Sequence, residues 1–84
     1  MTLDDFNEKY KDYLERGHYG LDIDNPKVIE YLDGKFQEFI KVSGFKFTQI
    51  KMKFNFVCFY AIKIDQQINE VEREILRIIK EAND

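Results

Sequence analysis

Twenty consecutive residues, Phe45 to Ile64 (FKFTQIKMKFNFVCFYAIKI), contain neither glycine nor proline and are crowded with aromatic and β-branched side chains. A single strand of that length would extend about 65 Å, beyond the span of any small domain. The run therefore predicts two antiparallel strands folded into a hairpin, with the turn near Lys53 to Asn55. No Asn-Gly or Asp-Gly pair marks that turn.

The two halves carry different patterns. In the second half the even positions Phe54, Phe56, Cys58, Tyr60, Ile62 and Ile64 are all apolar, the signature of one buried face. The opposite face is not cleanly polar, because Val57, Phe59 and Ala61 sit at its middle. In the first half Phe45 and Phe47 are odd, whereas Ile50 and Met52 are even. A one-residue slip turns side chains to the other face, so a bulge is expected near Thr48 and Gln49, or a strand starting only there.

The remainder of the chain reads mostly as helix. Thr2 is a good N-cap with Asp5 three residues on, and Leu3, Phe6, Tyr10, Tyr13 and Leu14 form one apolar stripe ending before Gly17. Asp5–Lys9, Lys11–Glu15 and Asp12–Arg16 are expected as i,i+4 pairs on its wet side. Tyr19, Leu21 and Ile23 alternate, enough for a short extra strand near Leu21. Asn25-Pro26 opens a second helix whose stripe (Val28, Leu32, Phe36, Phe39, Ile40) runs unbroken past Gly34 towards a stop at Gly44. A third helix is expected from Asp65 or Gln66 to about Ala82, buried through Ile68, Val71, Ile75, Ile78 and Ala82, with Ile79 beside them and Leu76 on one flank. The predicted fold class is α+β, three helices on a small antiparallel sheet in the order α-α-β-β-α, within one domain spanning 1–84. A sheet apolar at the centre of both faces needs cover on both. Either the helices divide between the faces, or a second molecule covers one of them.

Charge is distributed unevenly. The net charge is −3, yet 45–64 hold four lysines and no acid while both ends of the chain are acidic. The hairpin is a basic island, which the protection of exposed strands by lysine explains without invoking a ligand. The composition, 44% hydrophobic and 35% charged, is that of a globular chain. A single cysteine, no basic leader followed by an apolar run, and no stretch of about 18 apolar residues lead us to expect a cytoplasmic protein with no membrane contact.

The chemistry-bearing inventory is sparse: one His (His18), one Cys (Cys58), one Ser (Ser43) and no Trp. Cys58 stands between apolar neighbours and His18 follows a helix end, so neither is expected to act as nucleophile or base. Asp22 and Asp24 lack the glycine and distal glutamate of a calcium loop. No phosphate-binding loop, dinucleotide fingerprint or zinc spacing occurs. No enzyme activity, catalytic group, cofactor or metal is expected.

Two partner classes remain. Phe54-Asn55-Phe56-Val57-Cys58-Phe59 resembles the aromatic half of the strand signature in RNA-recognition motifs, which implies base stacking. The six residues lack that signature's glycines, the βαββαβ order is not found, and Phe56 and Phe59 alternate to opposite faces. With Lys46, Lys51 and Lys53 available for phosphates, single-stranded RNA or DNA is the alternative partner. The leading expectation is a protein-interaction module, a regulator or inhibitor of a larger protein or a homodimer. Its contact candidates are Phe47, Lys51, Phe59 and Leu76, which fall off the main apolar stripes or on the basic strip.

Overall fold

Reciprocal capping starts the chain. In the computed structural model, which describes residues 1–82, the Thr2 hydroxyl accepts from the Asp5 N–H at 3.1 Å. The Asp5 carboxylate in turn accepts from the Thr2 N–H at 2.9 Å. Helix α1 (Leu3–Lys9) is shorter than its stripe predicts, giving way to a 3-10 turn at Lys11–Tyr13. Tertiary pairing accounts for the early end: Leu14 bridges Phe47, and the Glu15 N–H donates to the Phe47 carbonyl at 2.8 Å. The expected i,i+4 pairs give way with it. Lys9 reaches Asp33 at 2.8 Å, and Lys11 turns back to Glu8 at 2.7 Å.

Strand β1 (Gly20–Asp22) realises the extra strand near Leu21, but it runs parallel to β2 (Lys46–Lys53). The sheet is therefore mixed, not antiparallel throughout. The cause is the helix between them, α2 (Pro26–Phe39), which carries the chain back so that β2 starts at the same end as β1. Asn25 caps α2 by accepting from the Lys27 and Val28 N–H groups. The helix passes Gly34 without interruption and stops at Phe39, ahead of Gly44.

Strands β2 and β3 (Phe56–Ile62) form the expected hairpin, and the expected bulge is present. Thr48 and Gln49 together oppose Tyr60, and the Thr48 hydroxyl donates to the Tyr60 carbonyl at 3.2 Å. A 3-10 turn at Asp65–Gln67 leads into α3 (Ile68–Ala82), which buries Val71, Ile75 and Ile78. Ile68, Leu76 and Ile79 are half-buried against the core, and the Ala82 side chain lies outside the described residues. Strand order is β1-β2-β3.

One apolar cluster holds these elements together. It joins Phe6 of α1 and Tyr10 at its C-cap, Leu32, Phe36 and Phe39 of α2, Val71 and Ile75 of α3, and Leu21, Phe47, Ile50 and Phe59 of the sheet. Phe36, fully buried, is its meeting point. Its ring centroid lies 5.1 Å from Phe6, 4.9 Å from Tyr10, 4.9 Å from Phe47 and 5.5 Å from Phe45, mostly edge-on. Deleting it should be severe. Phe36→Ala is expected to cost about 3–5 kcal/mol in chemical denaturation, against about 1–2 kcal/mol for Phe36→Leu.

A polar staple crosses the rim of this core. The Tyr10 hydroxyl donates to Asp33 Oδ1 and accepts from Gln37 Nε2 at 2.7 Å, while Lys9 Nζ donates to the same Asp33 oxygen. Hydrogen bonds from Lys9 and Tyr10 hold the Asp33 carboxyl below its ordinary value of 3.8, and burial pushes the Tyr10 hydroxyl up. A depressed carboxyl stabilises the fold above its unfolded value and stops doing so as pH falls through its folded value. Asp33→Asn is accordingly expected to be less stable than the parent at pH 7. Urea titrations at pH 7 and at successively lower pH should find that gap narrowing once the pH drops below 3.8, the ordinary value of the carboxyl.

Candidate interaction surface

The cross-strand register decides which side chains reach solvent. Ile50 pairs with Phe59 and Leu21, and Met52 with Val57, on the face turned to the helices. On the other face Lys53 pairs with Phe56, Lys51 with Cys58 and Asp22, and Lys46 with Ile62. Along β3 the outward side chains are thus Phe56, Cys58, Tyr60 and Ile62, an apolar column next to the column of lysines on β2. Phe56 is 70% exposed, Tyr60 64% and Ile62 46%, whereas Phe59 is 1% exposed.

This reverses the expected face of the second strand. Of its even positions only Ile64 is buried, and it follows Lys63, whose positive φ of 76° swings the chain back inward. The helices do not divide between the two sheet faces. Their buried residues join the sheet in a single cluster on one side, leaving the Phe56–Tyr60 side open.

The hairpin tip adds a third aromatic. Phe54 and Asn55 form a two-residue turn with φ of 52° and 68°, both left-handed, the backbone of a type I′ turn. Asparagine tolerates this region, but a bulky residue is strained there by about 1 kcal/mol or more. Phe54 recovers nothing by packing: it is 83% exposed, with Lys53 Nζ 5.8 Å from its ring. Replacing the pair by Phe54→Asn with Asn55→Gly is expected to stabilise the chain by about 1 kcal/mol. Thermal melting should register this as a higher Tm.

The two sheet edges differ. At the β1 edge the Leu21 N–H donates to Asn7 Oδ1 at 2.9 Å and the Leu21 carbonyl accepts from Asn7 Nδ2 at 3.0 Å. One side chain from α1 thus does what a neighbouring strand would do, and a three-residue strand has little else to offer. Gly20 permits this approach: it has φ of 82°, and a Cβ there would stand 2.6 Å from Asn7 Oδ1. At the other edge, β3 carries no charged residue, no proline and no bulge of its own. Alternate residues of an antiparallel edge turn their amides and carbonyls away from the sheet, and those of β3 meet no strand among the described residues. Below the start of this edge, Phe56 and Val57 share a shallow groove with Asn69, Glu72, Arg73 and Leu76 of α3.

The contact candidates from sequence separate into two groups. Phe47 and Phe59 are corrected: both are buried, Phe47 against Phe36, and neither can touch a partner of the folded chain. Lys51 stands half-buried in the middle of the open face, and half-buried Leu76 lines the groove beside Phe56. Strand periodicity alone places Phe56, Tyr60 and Ile62 on the buried side, where the structure exposes them, and gives Asn7 no role. The lysines contain the missing signal, because a two-residue turn at Phe54-Asn55 pairs Lys53 with Phe56 and puts both on one face.

Other features offer less. A concavity on α3 is lined by Glu70, Arg73, Glu74 and Arg77, but Arg77 is already paired with Glu74 and Glu81. Burial, with Glu74, Glu70 and Glu38 nearby, pushes the Tyr31 hydroxyl up to about 12, so it stays protonated. Among the described residues no side-chain hydrogen bond involves His18, Ser43 or Cys58, and no group of three or more His, Cys, Asp or Glu side chains converges as metal ligands would. No helix among them is long and apolar enough to cross a membrane. Compared with protein-family models, curated proteins and solved structures, the chain matches none.

Proposed function

We propose that this chain is a non-enzymatic protein-interaction module that receives a partner strand along the free edge of β3. The observation carrying this reading is the seven-residue edge without charge, proline or bulge, whose outward side chains are Phe56, Cys58, Tyr60 and Ile62. Chains ordinarily blunt such an edge, and this one blunts only the β1 side. Strand addition supplies affinity through backbone hydrogen bonds and specificity through alternate side chains. Exposed Phe54, kept at a strained position, widens the same surface at the hairpin tip. The groove with Leu76 extends it towards α3.

The test uses residues whose side chains face solvent. Phe56→Lys and Tyr60→Lys are expected to keep the circular dichroism of the parent while losing associations captured by the tagged chain, with a foreign protein or with itself. Phe59→Lys, which buries a charge, is expected to unfold the chain. Associations that survive both surface changes would overturn the reading.

A second reading is favoured by one observation: Phe56 and Tyr60 share their face with Lys51 and Lys53, while Lys46, on the same face, already donates to the Asp12 carbonyl at 2.8 Å. Four residues apart on one strand, the two rings stand about 13 Å from each other, within reach of two bases of a single strand. The net charge of −3 opposes it. Under this reading oligouridine is retained at low salt, its affinity falls steeply with ionic strength, and Lys51→Ala flattens that slope. No retention at low salt would end it.

A further inference from the structure

We propose that the occupant of the β3 edge is the β3 of a second copy, paired antiparallel about a two-fold axis to join two three-stranded sheets into one of six strands. The inference rests on the strand-addition reading above and names its partner. Charge is the first argument. The whole stretch Phe56–Ile62 is neutral within a chain of net charge −3, and the groove below its start sets Glu72 beside Arg73. Such a surface selects neither an acidic nor a basic partner, while a two-fold axis sets neutral residues against neutral residues and opposes no like charges. The lysine column lies one strand back, on β2, away from the junction.

Side-chain matching is the second argument. Antiparallel self-pairing lays Phe56, Cys58, Tyr60 and Ile62 beside the same four residues of the other copy. A single exposed column becomes a band two strands wide, with aromatic and β-branched neighbours across the junction. Closure is the third. Asn7 already occupies the outward N–H and carbonyl of Leu21, so each copy offers one open edge, and assembly stops at two instead of running on into a filament.

Light scattering after size exclusion, on the full chain from about 5 μM to 1 mM, tests this. A seven-residue strand junction is small, so dissociation in the micromolar range is expected, on the order of 1–100 μM. Mass should double across the series. Amide exchange of alternate β3 residues should slow by about tenfold or more at the high end. Tyr60→Lys, which puts like charges near each other across the axis, is expected to remain monomeric throughout with unchanged circular dichroism. A dimer whose β3 amides stay unprotected overturns the inference, since the copies then meet elsewhere. A monomer at every concentration overturns it too, and here the two readings part. If Tyr60→Lys still abolishes capture of a foreign protein, strand addition stands with another occupant; if capture survives the change, both fall.

Discussion

Lys51 and Lys53 cannot be taken out of water unpaired, and that cost settles which way the sheet faces. With the two lysines outside, Ile50 and Met52 must point inward, and the cross-strand register transmits the choice to β3. Val57, Phe59 and Ala61 go in with them, while Phe56, Tyr60 and Ile62 go out, although the outward set is the larger and more aromatic. Helices α1, α2 and α3 then have one apolar sheet face to cover, and they meet around Phe36. Everything on the open side follows from a pairing decided by two charges on the neighbouring strand.

Local signals were legible where the deciding physics is local. The Thr2–Asp5 cap, the Asn25-Pro26 start of α2, its passage through Gly34 and the bulge at Thr48 and Gln49 can all be read within a few residues of sequence. Misreadings arose where a distant partner decides. α1 ends early because Leu14 and Glu15 pair with Phe47, more than thirty residues away. β1 runs parallel because of the helix that follows it. The inner face of β3 was misassigned because its own pattern, apolar on both sides, leaves the choice to β2. The same ambiguity makes Phe59 read as a surface residue; Phe47 is buried because the bulge at Thr48 and Gln49 returns it to the face of Ile50, and Asn7 carries no local mark of its role.

The open face and the Asn7 cap describe two ways of treating exposed backbone. On the β1 side a short strand, a glycine without a Cβ and one amide side chain leave little to recruit another chain. On the β3 side nothing of the kind is present among the described residues: seven residues continue from a strained tip to the left-handed Lys63 without charge. The contrast belongs to one sheet, so composition alone does not explain it.

The slenderness of β1 bears on how the chain fails. Three residues tied by one asparagine are easier to lift than the β2–β3 hairpin, so the amino-terminal quarter should open in partial excursions well below the free energy of global unfolding. Each excursion would bare the far side of β2, a strand of eight residues that is otherwise interior. For as long as it lasts, the molecule has two recruitable edges instead of one. Its tendency to polymerise would then follow the lifetime of a short segment near Leu21, and a measured melting temperature would say little about it.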